Sequence, residues 1–366
     1  MKMTIDTQKL QTMVTKSAAG ASQNKLLPIT GLVDIQLAAG VLTLMTTDSA
    51  NTLYVKSNDV VGDDFHAVVP IEIFAKLIAK TTSSSIILQV EGSVLKVKGN
   101  GDYSIAMCTD EDGVVEFPSY KFKKSKEPEI FKLTDIKNIL SINKAAVCRT
   151  IDSPFLCSYH LSDMIISTDE TVICFNNRKL VEDTILVSSE MMDLLGLFMQ
   201  EDIALYRDKG YFLFETPNVV LHGPEHEGKD KFPADNVKRF LSMDFPHMCK
   251  LPKLLLQAVI DRLSLFIEPY DKNGAYFTFT KDGVRINSKR SSSVETISYA
   301  GSENFAPFVC CVDIPILQEQ INSIQDEIVE LWYGHPAAIK LISSKGKITQ
   351  VIALLQDENL GENSGN

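Results

Sequence analysis

Long apolar runs are missing from this sequence. No window of its 366 residues approaches twenty consecutive apolar side chains and mean hydropathy is near zero, so no bilayer-spanning helix is expected. The opening residues MKMTIDTQKL are polar and periodic, without the apolar stretch of a signal peptide, so a cytoplasmic location is the expectation. Any C-x-x-C pair is missing too. The seven cysteines stand at 108, 148, 157, 174, 249, 310 and 311, and a strand would point the adjacent Cys310 and Cys311 to opposite faces. Most have apolar neighbours, which suits buried thiols in a reducing compartment and not a metal cluster. No G-x-x-x-x-G-K-[ST] loop occurs and no G-x-G-x-x-G follows a strand, so ATP hydrolysis and dinucleotide chemistry are unsupported and no cofactor is expected. Positive charge is also short. Lys and Arg number 36 against 47 Asp and Glu, a formal net charge of -11, the wrong sign for gripping nucleic acid with the whole surface. Any basic surface must be local.

Apolar residues make up 45% of the chain, and its length suits two to four domains with several cores. Helical spacing recurs over 6–18, 71–80, 134–148, 189–199, 253–266 and 313–324. Pro70 and Pro252 precede two of these helices, and Pro315 falls in the first turn of the last, where its missing N–H costs nothing. Between them lie short alternating runs such as VLTLMTTD, SIILQVEGSVLKVKG, IALYRDKGYFLFET and AYFTFTKDGVRINS, broken at Glu91-Gly92, Asp208-Lys209-Gly210 and Lys281-Asp282-Gly283. The order of strand, helix and several strands occurs about six times, in three pairs of roughly 120 residues. This implies an α+β chain of three similar blocks, 1–122, 128–247 and 248–356, each with two helices on antiparallel sheets. YKFKKSKEP and the turn-rich stretch 222–247 mark the joins, and 357–366 reads as a disordered polar tail.

Two constellations resemble chemistry without supporting it. The run LLPITGLVDIQLAAGVLTLMTTD ends in two threonines and Asp48, which could be a metal ligand or a catalytic corner. However, no histidine or second carboxylate lies near it, and Thr168-Asp169 repeats the pattern before another strand, so a hairpin turn held by an Asx-type hydrogen bond is expected. His222 and His226 in HGPEHEG, beside Glu225 and Glu227, look like a metal pair. Pro224 and the two glycines prevent a preformed helix and no third ligand is near, so a flexible loop is expected and no metal.

The helices concentrate the basic charge. Those at 6–18, 71–80, 134–149 and 253–266 carry Lys9, Lys16, Lys76, Lys80, Lys137, Lys144, Arg149, Lys253 and Arg262, against Asp6, Glu72, Asp135 and Asp261. Lys9 and Lys16, like Lys137 and Lys144, are seven apart and share a face. Each lysine alone fits the solvated side of an amphipathic helix; together they suit a lining that faces phosphates. The helices at 189–199 (Glu190, Asp193) and 313–326 (Asp313, Glu319, Asp326) carry acids only, so such a lining would be patchy.

LLPITG followed by a hairpin ending in TTD resembles the first domain of the bacterial DNA polymerase sliding clamp, the beta subunit of DNA polymerase III. FLCSYHLSDMIISTD and TVICFNNRKL resemble the clamp's middle domain. There Phe175, Asn176, Asn177, Arg178, Lys179 and Leu180 stand in place of a Thr-Asp-Gly-His-Arg-Leu motif, keeping only its last position. FPHMCKLP and TQVIALL match the clamp's Phe-Pro turn and terminal segment, with Ile352, Ala353 and Leu354 in its Met-Pro-Met places. The worn motifs suggest a divergent copy carried by a phage or other mobile element.

The resemblance implies a head-to-tail homodimer closing into a six-domain ring. Helices would line the hole around duplex DNA, and an ATP-dependent loader would open the ring. It implies a non-enzymatic processivity factor that tethers polymerase and other factors through short linear peptides. It places Arg149 and Phe155 near a DNA-approaching loop, and Lys25, beside Asn24, where clamps carry a DNA-contacting arginine. It places Leu156, Leu180, Pro252, Ile352 and Leu354 in the peptide pocket, with a rim changed at Asn177, Arg178 and Ala353. The subunit seam would join an edge near residues 70–110 to one near 265–305. A clamp-like adaptor that does not slide on DNA is the alternative, favoured by the two acidic helices. A nuclease using Asp48 and Asp169 lacks clustered carboxylates.

Overall fold

A computed structural model describes the chain apart from residues 23, 25, 111–112, 118–119, 125–126, 151, 199–200, 227, 267–273, 290–291, 300–305, 344–345 and 357–366. The expected tail and Lys25 lie outside the described residues. There are two compact units, one of Met1–Ile136 and Glu190–Glu225, the other of Lys137–Ser189 and His226–Asn366. Each draws on two of the three blocks read from the sequence. No described helix is long and apolar enough to cross a membrane.

The first unit opens with β1 (Lys2–Asp6), which runs directly into α1 (Thr7–Ala19). Asp6 ends the strand and caps the helix, its carboxylate accepting the Lys9 N–H at 3.0 Å. Leu10, Met13, Val14 and Ser17 recur at helical spacing and are buried. There follow β2 (Leu32–Ala38), β3 (Val41–Thr47), β4 (Thr52–Ser57), β5 (Val61–Gly62), β6 (Phe65–Pro70) and α2 (Ile71–Ala79). Next come β7 (Ser85–Glu91), β8 (Val94–Lys98), β9 (Asp102–Ala106), β10 (Thr109–Asp110), β11 (Gly113–Val114) and β12 (Glu129–Phe131). In β2, Val33, Ile35 and Leu37 alternate into the core. α2 packs on α1, where the Gln11 side-chain amide donates to the carbonyls of Ile78 at 3.0 Å and Thr81 at 2.9 Å.

α3 (Leu133–Ile142) spans the join between the units and ends in a 3₁₀ turn at Asn143–Ala146. The second unit then forms β13 (Ser158–Leu161), β14 (Ile165–Thr168), β15 (Val172–Asn176) and β16 (Ile185–Ser188). The chain returns to the first unit for α4 (Ser189–Leu195), β17 (Ile203–Asp208), β18 (Tyr211–Glu215) and β19 (Val219–Pro224). The second unit resumes with α5 (Ala234–Lys238), β20 (His247–Pro252), α6 (Lys253–Ser264), β21 (Gly274–Thr280), β22 (Gly283–Ser288) and β23 (Val294–Ser298). It ends with β24 (Phe308–Asp313), α7 (Ile314–Ser323), β25 (Ile328–His335), β26 (Ala338–Ser343) and β27 (Ile348–Ala353). All six expected helices are present, while α5 falls inside a stretch read as a connector. Pro315 sits in the first turn of α7, and Asp313 caps that helix by accepting the Ile316 N–H at 3.1 Å.

Both units are built on antiparallel sheets. The first has a five-stranded sheet, β5-β1-β7-β8-β9, and an eight-stranded one, β12-β17-β18-β19-β4-β3-β2-β6. The second has an eight-stranded sheet, β16-β13-β14-β15-β27-β26-β25-β20, and a four-stranded one, β23-β22-β21-β24. The long sheets are continuous because β4 pairs with β19, Val55 opposite Val219, and β15 pairs with β27, Val172 opposite Ile352. Strands β13, β14 and β15 are buried on both faces. Alternation sends Val172, Cys174 and Ile352 into one apolar cluster and Ile173, Phe175 and Val351 into another.

The Thr-Asp pairs close hairpins. Asp48 accepts the backbone N–H groups of Ala50 and Asn51 at 2.8 and 2.6 Å, and Asp169 does the same for Thr171 and Val172 at 2.9 and 2.8 Å. The next residue is left-handed in both turns, Ser49 with φ 87° and Glu170 with φ 78°.

His222 departs from the sequence reading. It belongs to β19, where pairing with β4 and β18 buries it, and its ring stacks on Tyr120 and Tyr211 at 4.7 and 5.3 Å between centroids. Burial pushes its imidazole below the ordinary 6.5, and burial first, with Lys238 second, does the same to His160. The unfolded chain therefore takes up protons near pH 6.5 that the folded chain resists, so stability should fall as pH drops below about 6.5. Urea midpoints at pH 7.5 and 5.5 should show that loss, and His222→Gln should reduce it.

Candidate functional site

The second unit carries an apolar groove of about 380 Å³ lined by residues from widely separated segments. One wall is the 3₁₀ turn Pro154–Leu156, with Phe155 and Leu156 facing the groove. The floor is sheet: Ile173 from β15, Ala338 from β26, and Val351 and Ala353 from β27. The opposite wall is Pro233, Val237 and Phe240, from α5 and the 3₁₀ turn after it. Thr168, Glu170, Thr171 and Lys231 form a polar rim. The Ala353 N–H donates to the Thr171 carbonyl at 2.8 Å, and the Leu354 N–H to that of Ala337 at 2.9 Å, which holds the last strand in place. Apolar walls with a few polar groups at the rim suit a ligand anchored by an aliphatic or aromatic side chain.

Of the five pocket residues expected from the sequence, Leu156 lines this groove. Ile352 lies in the larger apolar cluster behind the sheet, and Leu354 packs against that cluster. Leu180 is half-buried and Pro252 is exposed at the start of α6, and neither lines the groove. Phe155, expected beside DNA, forms part of the groove wall. Val237 and Phe240 were missed. Their signal is the i, i+3, i+4 spacing of Val237, Phe240 and Leu241, hidden because the helical segment is short and follows Pro233.

The basic side chains form two sets, one in each unit. In the first, α1 presents Lys9 and Lys16 to a cleft of about 400 Å³ that Lys56, Asp59 and Glu201 also line, and Lys9 pairs with Asp59. Lys76 pairs with Glu72 one turn before it at 2.5 Å, and Lys80 is exposed at the end of α2. In the second, Lys137 and Lys144 are exposed. The Arg149 guanidinium forks onto the Glu319 carboxylate of α7 at 3.1 and 3.2 Å. Lys253 donates to the Ile324 carbonyl, and Arg262 to Glu295 at 2.7 Å. Lys16, Lys80 and Lys137 make no ion pair among the described residues. Glu319, one of the acids expected to interrupt a basic lining, is neutralised by Arg149. Exposed pairs of this kind contribute little to stability.

Among the described residues, no three His, Cys, Asp or Glu side chains group to hold a metal ion.

No family model and no curated protein matches this chain. Solved structures do. The DNA polymerase sliding clamp of Bacillus subtilis is 15% identical, with a TM-score of 0.86 over 98% of this chain and 99% of that one. The beta subunit from the DNA polymerase of Streptococcus pyogenes gives 15% and 0.86 over 98% of this chain and all (100%) of the other. The DNA polymerase III beta subunit of Thermotoga maritima gives 14% and 0.85 over 97% and 99%. The chain has the sliding-clamp fold. The likeness spans nearly its whole length at an identity where few side chains are shared, so the sliding-clamp backbone is kept while its motifs have changed.

The groove makes a check on stability possible. Phe240 is 37% exposed and Val351 2%. Phe240→Ala should leave unfolding free energy within about 1 kcal/mol, whereas Val351→Asp should cost about 3 kcal/mol or more by burying a charge. Urea denaturation of the two variants measures both.

Proposed function

We propose that the chain is a DNA sliding clamp, a processivity factor that encircles duplex DNA and tethers a polymerase without catalysing a reaction. The observation that carries this reading is the sliding-clamp fold over 97–98% of the chain. In this reading three domains, 1–122, 128–247 and 248–356, form half of a six-domain ring, and a second copy closes it head to tail. A separate ATP-dependent loader opens the ring, and the protein works in the cytoplasm at the nucleoid. Lys9, Lys16, Lys25, Lys76, Lys80, Lys137, Lys144, Arg149, Lys253 and Arg262 supply its phosphate contacts. Such contacts are weak, salt-sensitive and blind to base sequence, which sliding requires. The adaptor reading is not favoured, since the likeness to sliding clamps runs over nearly the whole chain.

Two edge strands suit the seam. β9 ends the five-stranded sheet and carries Tyr103, 46% exposed; β23 ends the four-stranded sheet and carries Val294, 40% exposed. Each leaves unpaired backbone groups that a partner's strand would satisfy. Sedimentation at micromolar concentration should therefore give twice the 40.6 kDa chain mass. The monomer alone across that range would contradict the ring.

The groove is where partners dock in this reading. A short peptide from a polymerase, with Leu or Phe near its end, would bury that side chain against Phe155, Leu156, Val237 and Phe240. One such anchor contributes about 2 kcal/mol, and a few of them less ordering costs give roughly micromolar affinity. Phe240→Ala should weaken peptide binding about tenfold or more in a calorimetric titration while dimer formation is unchanged. Unchanged affinity would place docking elsewhere.

A further inference from the structure

We propose that Cys148 and Cys157 are a dithiol site that oxidises to an intrachain disulfide in the folded protein and clips the loop forming one wall of the apolar groove. The two cysteines bracket that loop. At its base, the Cys148 N–H donates to the Leu156 carbonyl at 3.1 Å, which brings the backbones of residues 148 and 157 side by side. Both thiols converge on one oxygen, the Thr150 carbonyl, with Cys148 Sγ at 3.9 Å and Cys157 Sγ at 3.2 Å. Two thiols that share one acceptor on neighbouring backbones are placed for a disulfide, which needs their Cα atoms within about 7 Å of one another. Cys108 is half-buried, and burial raises its thiol above the ordinary range. Cys174, Cys249, Cys310 and Cys311 are buried, and burial raises the thiols of Cys174, Cys249 and Cys310 well above their ordinary range, Cys249 to about 12.

Exposure sets the order of the chemistry. Cys157 is half-buried and Cys148 buried, so Cys157 is the thiol an external oxidant reaches first. With a small-molecule disulfide as oxidant, the Cys157 thiolate attacks one of its sulfurs, forms a mixed disulfide and releases one thiolate. The Cys148 thiolate then attacks the Cys157 sulfur and expels the second thiolate. Two protein thiols lose two electrons and two protons, and one small disulfide becomes two thiols. Phe155 and Leu156, which line the groove, lie between the two cysteines. The closed form thus adds a covalent tie across the base of that wall, beside the backbone bond from Cys148 to Leu156. The site is independent of what occupies the groove.

The test is to treat the native full-length chain with oxidised glutathione and map the tryptic peptides by mass. The expected product is a peptide pair joined through Cys148 and Cys157, lighter by two hydrogens, with the melting temperature raised by a few degrees and restored by dithiothreitol. Cys157→Ser should abolish both changes, and so should Cys148→Ala where that variant folds. Cys311→Ser should alter neither. A glutathione adduct that persists on Cys157 without cross-linking would overturn the proposal. So would a cross-link that forms only in denaturant.

Discussion

Two strand pairings hold the long sheets together. β4 and β19 are separated by more than 160 residues of chain, as are β15 and β27, yet each pair zips two groups of neighbouring hairpins into one eight-stranded sheet. Without β19, the outer backbone groups of β4 would lie at an open edge, and the same holds for β15 without β27. Most other features depend on these ladders. His222 is buried because it lies opposite Thr52 on the first of them. Val351 reaches the groove floor because the second sets its register against Ile173. Contacts this far apart in sequence also close large loops, so such sheets are expected to form late in folding.

Local periodicity was legible in the sequence. Apolar spacing located six of the seven described α-helices, and the repeated Thr-Asp pairs marked equivalent turns. Pairing between distant strands has no local signal, and it decides how the blocks share sheets. The groove shows a second limit. Along a strand a shift of one residue exchanges the faces, so Val351 and Ala353 line the groove while Ile352 and Leu354 belong with the cluster behind the sheet. A resemblance in which only the last position of a motif survives cannot fix that parity. The opposite wall was hidden for another reason: α5 is five residues long, too short for its spacing to stand out after Pro233.

Electrostatics and topology fit one another in the sliding-clamp reading. A chain of formal charge -11 cannot bind DNA tightly through its whole surface, and a ring that slides must not. The basic side chains assigned to DNA include several on helices that are held by weak surface pairs, as with Lys9 and Asp59 or Arg262 and Glu295. Retention then comes from closure, and the groove adds exchangeable docking of moderate strength. In that reading stability rests on the ladders, while sliding and partner choice would fall to the helix faces and the groove.

The central claim is topological retention, and closed circular duplex DNA tests it most directly. The chain would be loaded on a nicked plasmid with an ATP-dependent loader and washed in high salt, and the protein that stays would be measured before and after linearising the plasmid. The account predicts retention that survives the wash and is lost on linearisation, with Lys16→Glu/Lys137→Glu reducing loading without introducing any preference for base sequence. Release by salt from the circle at the same rate as from the linear form would contradict it.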